Sequence, residues 1–465
     1  MRLGSKQSHT LTPLIHDEVA DFIENKHEQL REGFNRFGSP LHLIWPDLLA
    51  DNLLALQAIL SGSQVPCRIY YGVKVNKSVN LMGAALQAEG GVDVSSLYEL
   101  QDALALGAKG ADIVATGPAK TSTFHRALMA CKALISIDSV EEFDDILKEL
   151  PSAGDPQPVL LRLRPQNQGQ SRFGMDAQDV VSCLHRLAGT PALRFDGIHF
   201  HLSGYSVETR IEALNEAADL IAKARGMGLS PRMIDIGGGL PVQYVDHPTY
   251  AAFLEAQTAQ DYRTNHLPQS FYPYGGPVCA TEWLTHLLQS KMQDGRDVAT
   301  YFRQENLTLG MEPGRALADQ TAITAFRVTR VKALGAQSAA IFVEGSSFSA
   351  CETWFASEFL IDPIVVPHGP EAARTTPVRA YLAGHSCLDE DIVSNRWLDF
   401  PITPQAGDLL IYVNTGGYQM DLMENQFHRH PMPIRLCVRR TADGLSELIP
   451  DTCEEVLCSI QPSRN

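Results

Sequence analysis

GVDVSSLYELQDALALGAKGADIVAT, residues 91–116, reads as strand, helix, strand. GVDV (91–94) and DIVAT (112–116) are short β-rich runs. Between them Leu97, Leu100 and Leu104 recur at three- and four-residue spacing, the period of a helix that lays one face on a sheet. The pattern extends in both directions. CRIYYGV (67–73) precedes it, and LISID (134–138), VLLRLR (159–164), FDGIHFHL (195–202), MIDIG (233–237) and LTLGME (307–312) follow. VETRIEALNEAADLIAKARGMG (207–228) is another clearly helical interval. Eight β-rich runs separated by helices are parallel βα units, and eight of them close into a (β/α)8 barrel.

After residue 316 the texture changes to β-type runs: AITAFRVTRVKAL (322–334), SAAIFVEG (338–345), VRAYLAGH (378–385), DLLIYVNT (408–415) and IRLCVRR (434–440). These predict a second, mainly antiparallel β domain. PLHLIW (40–45) also reads as a strand and is expected to cross over to that domain. The expected division is therefore 1–46 as a segment joining the β domain, 47–316 as the barrel and 317–465 as the β domain. The long interval 241–306, with DYRTNHLPQSFYPYGGPV inside it, is read as a lid or a surface elaboration.

The 465 residues exceed what one hydrophobic core organises, in keeping with two domains. A formal charge of −16, from 54 acidic and 38 basic side chains, repels phosphate backbones and anionic lipid, so neither nucleic acid nor membrane is expected as a partner. No secretory signal or long apolar run is evident, and a cytoplasmic location is expected. Nine cysteines, scattered and free of C-x-x-C pairs, fit reduced thiols better than a disulfide frame or a zinc site, and no metal is expected.

Barrel enzymes assemble their chemistry at the C-terminal ends of the strands. Those ends carry Lys74, Asp93, His199, His201, the triplet Gly237, Gly238 and Gly239, then Glu312 and Arg315. A lysine in a desolvated strand end can form a Schiff base. A carboxylate can hold a pyridine nitrogen protonated, and glycines let backbone N–H groups approach a phosphate. These are the requirements of pyridoxal 5'-phosphate.

Eight motifs in order, YYGVKVNKS, GVDVSSLYEL, SRFGM, IHFHLSG, IDIGGGLP, MEPGRALAD, AGHSCLDED and AGDLLIYVNTGGY, resemble the fold-type III pyridoxal-phosphate decarboxylases, the ornithine and diaminopimelate decarboxylase group. The resemblance covers roughly residues 38–437 and implies a barrel of the alanine-racemase type. It implies that Lys74 is the Schiff-base lysine, that Asp93 and Glu99 are the acidic pair beside it, and that His201 stacks on the cofactor ring. His199, two residues earlier on the same strand face, is expected to pack inside the barrel. Glu312 would meet the pyridine nitrogen. Ser203, the three glycines, Arg315 and Tyr418 would hold the phosphate, although the family's H-x-G-S reads H-L-S-G here. Cys387 resembles the cysteine that reprotonates the substrate carbon in the neighbouring subunit of a homodimer, and Asp391 is expected to order its loop.

The implied reaction is decarboxylation of an amino acid to an amine, through an external aldimine and a quinonoid. A racemase on the same barrel is the alternative, but that branch is expected to use a tyrosine where this chain has Cys387. A catalytically silent regulatory relative would be expected to lose Lys74, Glu312 or Cys387, and all three are present. The substrate signatures differ from both main branches. Leu388 stands where ornithine-type enzymes carry an acidic residue, leaving Asp389 as the nearest substitute. Cys351 and Phe355 stand where diaminopimelate-type enzymes carry an arginine and a tyrosine. Loss of both charge-recognition signatures points to a specialised amino acid as substrate.

Overall fold

The computed structural model describes residues 10–350, 357–369, 376–423, 425–440 and 446–452, so Cys351 and Phe355 lie outside the described residues. Two compact units divide the chain. One contains residues 49–241 and 278–317, and the other contains residues 10–48, 242–277 and 318–451.

In chain order the strands begin with β1 (Leu41–Ile44), β2 (Cys67–Gly72), β3 (Gly91–Val94), β4 (Ile113–Ala115) and β5 (Leu134–Ile137). Then come β6 (Gln157–Arg162), β7 (Leu193–His199), β8 (Met233–Asp235), the two-residue β9 (Ser270–Phe271) and β10 (Thr308–Met311). The rest are β11 (Ala322–Ala333), β12 (Ser338–Glu344), β13 (Ser357–Glu358), β14 (Ile364–Val366) and β15 (Val378–Ala383). Last are β16 (Ile392–Phe400), β17 (Leu409–Val413), β18 (Ile434–Arg440) and β19 (Ser446–Pro450).

In the first unit β2 to β8 and β10 form a closed barrel with every neighbour parallel, one strand for each of the eight β-rich runs. β3, β4, β6 and β8 are buried along their whole length, as strands wrapped by helices must be. Hydroxyl caps start the helices that follow the strands: Ser78, Ser96, Ser139 and Ser206 accept from the N–H groups of Leu81, Glu99, Glu142 and Thr209. Between β6 and β7 the register slips, pairing Val159 with Phe195 but Leu160 with Gly197, so that Asp196 is bulged out. There Gly197 lies so close to β8 that an added Cβ would sit 1.8 Å from the Met233 carbonyl oxygen.

The second unit is a nine-stranded sheet ordered β16-β15-β12-β11-β1-β18-β19, with β17 pairing β11 and β14. Its pairs are antiparallel except β1–β18 and β12–β15. β1, from PLHLIW, lies between β11 and β18. The sequence pattern missed β14, β16 and β19. In β16 two inward positions are polar, Ser394 and Arg396, and the buried Arg396 guanidinium pairs with Asp362, which hides the apolar alternation.

The interval 241–306 divides between the units. Residues 242–277 pack with the sheet: Tyr274 stacks on Tyr244 at 5.1 Å, meets Phe359 edge-on at 5.3 Å and accepts a hydrogen bond from Gln419 at 3.2 Å. Helices Ala280–Gln289 and Val298–Gln304 return to the barrel unit. Among the described residues no helix is long and apolar enough to cross a membrane, and Cys67, Cys131, Cys183, Cys279, Cys387 and Cys437 are free thiols. Gly197→Ala is expected to destabilise the barrel by on the order of 3 kcal/mol through overpacking against β8, measurable as a lowered urea midpoint.

Candidate active site

Lys74 follows β2 in a single 3-10 turn, Val73–Val75, whose flanking valines are buried while the lysine side chain remains 38% exposed. Its Nζ lies 2.5 Å from Asp93 Oδ2, and the other oxygen of Asp93 accepts from Thr116 Oγ1 at 2.6 Å. Strand ends β2, β3 and β4 thereby orient one amine. The next lysine in the same mouth, Lys120, is fully committed, since its Nζ donates to the carbonyls of Gly117 and Ser136 and to Glu142. Glu99 is half-buried and accepts from the N–H of Ser95 at 2.5 Å, in the reciprocal pattern of a helix cap with Ser96. Burial raises its carboxyl, and the charges of Asp93 and Lys74 reach it only as smaller effects.

Glu312, at the end of β10, is buried. Burial is the largest single influence on its carboxyl and pushes it up, but the contact with His201 and the charges of Lys74, His201 and Arg162 more than offset this and hold it below the usual glutamate range. Asp235, at the end of β8, goes the other way. Burial and then the Glu312 charge raise it well above the ordinary carboxylate range, so Glu312 is the ionised member of the two. His201 Nδ1 lies 3.2 Å from the Gly238 N–H and 3.5 Å from Glu312 Oε2. His199 is buried in the barrel as expected, but it also faces Glu312 Oε1 at 3.4 Å. One donor atom each from His199, His201 and Glu312 lie within 4.8 Å of one another. Lys74 and Arg162 act on the same groups and oppose a further cation there.

The glycine triplet after β8 is required by the protein's own contacts. An added Cβ would lie 2.7 Å from His201 Nδ1 at Gly237, 2.5 Å from the Glu312 carbonyl at Gly238 and 2.1 Å from Arg210 Nη2 at Gly239, and Gly237 and Gly239 have φ of +67° and +81°. Arg210 is a residue the sequence reading did not single out. It is fully buried, and its Nη2 lies within hydrogen-bonding reach of the carbonyls of Leu202, Gly204, Gly238 and Gly239 at 3.0–3.4 Å. Burial lowers its pKa to about 10, so it still carries its charge at neutral pH. The peptides it gathers are trans, so the N–H groups of Ser203, Tyr205, Gly239 and Leu240 turn away from the guanidinium. Ser203 is exposed on this loop, whereas Arg315 is buried three residues after Glu312.

Cys387, Leu388, Asp389, Asp391 and Tyr418 belong to the sheet unit. Cys387, Leu388 and Asp389 are exposed. Asp391 is buried, accepting from Ser347 N–H at 2.7 Å and Ser386 N–H at 2.9 Å, so it fixes the loop rather than offering a free carboxylate. Tyr418 is half-buried and held at φ +73°, a conformation rare for a residue with a side chain.

A family model described as "Pyridoxal-dependent decarboxylase, pyridoxal binding domain" matches residues 53–269. The uncharacterized protein y4yA of Sinorhizobium fredii is 61% identical over 451 residues, covering 97% of this chain and 99% of that one. The diaminopimelate decarboxylase of Pseudomonas aeruginosa is 24% identical over 409 residues, covering 84% and 85%. Among solved structures, diaminopimelate decarboxylase from Helicobacter pylori complexed with L-lysine aligns with a TM-score of 0.70 at 17% identity, covering 93% and 99%, a likeness of fold.

Arg210→Met keeps side-chain length but removes the donor shared by four carbonyls. Urea denaturation is expected to show a loss on the order of 3 kcal/mol. A variant as stable as the wild type would mean that water satisfies those carbonyls equally well.

Proposed function

Because the chain belongs to the fold-type III pyridoxal-phosphate decarboxylases, as a divergent member, we propose that it removes the carboxylate of an amino acid as carbon dioxide, with Lys74 holding the cofactor. The observation that carries this reading is the 2.5 Å contact of Lys74 Nζ with Asp93 in the same barrel mouth as an ionised Glu312. The residues suit the cofactor at both ends. Four peptide N–H groups turned away from Arg210, with Arg315 and Ser203, would supply the donors and charge for a phosphate. At the other end Glu312 offers a negative charge for a protonated ring nitrogen. Pyridoxal phosphate, when bound, supplies the electron sink for the bond to the departing carboxylate.

The chain's own residues then have separable tasks. Asp93, fixed by Thr116, orients the Lys74 amine and balances its charge. Glu312 stays ionised against burial because the contact with His201 and the charges of Lys74 and Arg162 hold its carboxyl below the usual glutamate range. His201 presents its ring beside the glycine loop, held there by Gly238 N–H, and Glu99 supports the acidic side of the mouth while capping its helix. Cys387 is exposed on a loop pinned by Asp391, as a proton donor to a second subunit's substrate would need to be, with Leu388 and Asp389 beside it to meet that substrate. A cysteine rather than a tyrosine in this role favours decarboxylation over racemisation. The proposed assembly is a homodimer with shared sites.

Three outcomes test this reading. Borohydride reduction of the purified protein is expected to bleach a visible band and fix label on Lys74, and label on Lys77 or Lys120 would overturn the assignment. Glu312→Gln should retain cofactor but slow turnover by about 100-fold or more, with carbon dioxide release from a panel of amino acids as the assay. Mixing inactive Lys74→Ala and Cys387→Ala subunits in equal amounts should recover about a quarter of wild-type activity, since half of the two-fold dimers are mixed and one site of two is then intact. Absence of complementation with verified subunit exchange would confine the site to one chain.

A further inference from the structure

Behind Glu312 lies a buried polar chain that the proposed mechanism does not use. Ser136, at the end of β5, places its Oγ 2.7 Å from His199 Nδ1, and His199 Nε2 faces Glu312 Oε1 at 3.4 Å. All three residues are buried, and among the described residues neither Nε2 nor Oε1 has a hydrogen-bond partner, so the two atoms are an orphaned polar pair facing each other. Ser136 is itself anchored, because its carbonyl accepts from Lys120 Nζ at 2.7 Å and that lysine is held in turn by Glu142 at 2.9 Å. Two arrangements of protons are available. If His199 carried its proton on Nδ1, a lone pair on Nε2 would confront a carboxylate oxygen. If the Ser136 hydroxyl donates to Nδ1, the proton sits on Nε2, the ring nitrogen on the Glu312 side. With Glu312 ionised, electrostatics selects the second.

We propose that Ser136 and His199 form a relay in which the Ser136 hydroxyl sets the histidine tautomer and the His199 Nε2–H holds one oxygen of Glu312. The other oxygen, Oε2, which lies 3.5 Å from His201 Nδ1, would then be the one that faces the cofactor. Both are positioning residues, acting through Glu312, and the inference rests on the cofactor assignment made above. Surrounding charge does not do this work. The charges of Lys74 and Arg162 favour the ionised carboxylate without fixing which oxygen faces which way, and the His201 contact is with Oε2, so Oε1 is left to His199. His199 is kept neutral by burial and next by the Arg162 cation, so it can donate without adding charge.

The test uses cofactor-loaded wild type, Ser136→Ala, Ser136→Thr and His199→Phe. Without the relay the Glu312 carboxyl loses a donor and protonates at higher pH. The acid limb of kcat, and of the visible band of the lysine-bound cofactor, should therefore move upward by about one pH unit in Ser136→Ala, the size expected for one hydrogen bond to a charged group. The cofactor dissociation constant should rise about tenfold for the same reason. Ser136→Thr, which keeps the hydroxyl, should restore both. The double variant Ser136→Ala/His199→Phe should shift no further than His199→Phe, because the two act in series. A Ser136→Ala enzyme with wild-type limb and cofactor affinity, even if less stable to heat, would overturn the relay, and the serine series decides this whether or not His199→Phe folds. Wild-type protein that retained no cofactor would instead remove the assignment beneath it, and the relay with it.

Discussion

Keeping Glu312 ionised inside a barrel is the constraint around which the site is arranged. Burial opposes a charge there, and no single partner neutralises it. Lys74, His201 and Arg162 share the task. Asp235 accommodates the same charge by remaining protonated, since two neighbouring buried carboxylates cannot both ionise. The backbone follows: Glu312 N–H donates to the Gly237 carbonyl at 2.9 Å, and the next glycine approaches the Glu312 carbonyl too closely for any side chain. A glycine loop that the motif alone assigns to phosphate binding is thus already demanded by the carboxylate, the histidine and the buried arginine it touches.

That overlap explains which parts of the site were legible in the sequence. Lys74, Asp93, His201 and Glu312 stand out because polar residues at the ends of apolar strands have few uses other than chemistry. Arg210 gave no such signal. It sits in the first turn of an amphipathic helix, where an arginine ordinarily points to solvent, and only the fold reveals that it is fully buried against four carbonyls. Ser136 and Thr116 were equally silent, because a serine or threonine within a short β-rich run looks like ordinary strand composition. Glu99 illustrates the converse difficulty. The same S-x-x-E spacing serves a helix cap and an acidic pair, and its carboxylate is close enough to Lys74 for the two uses to coexist.

At the level of the fold, barrel strands were readable because each is a short apolar run bounded by turns, and their parallel order follows from the helices between them. The sheet unit was harder. Its β16 buries Ser394 and Arg396, and the segment 242–277 packs against strands more than 100 residues away in sequence, as when Asp261 pairs with Arg379 at 3.2 Å. Local periodicity carries no information about such partners, so an aromatic, turn-rich stretch in the middle of a barrel sequence looked like an insertion of the barrel.

The Cys387 loop separates what the fold must keep from what it can change. Asp391 is buried and accepts from two backbone N–H groups, one in the loop and one in the turn at Ser347, so its loss would leave both donors unsatisfied. Cys387, Leu388 and Asp389 make no comparable demand, being exposed on the backbone that Asp391 holds. An acidic residue after the cysteine can therefore become Leu388 without cost to the loop's shape, while the carboxylate four residues on cannot be exchanged so freely. Under the proposed function, exposed side chains on such a loop can change faster than the backbone that presents the thiol, because they carry none of the buried hydrogen bonds that hold its shape.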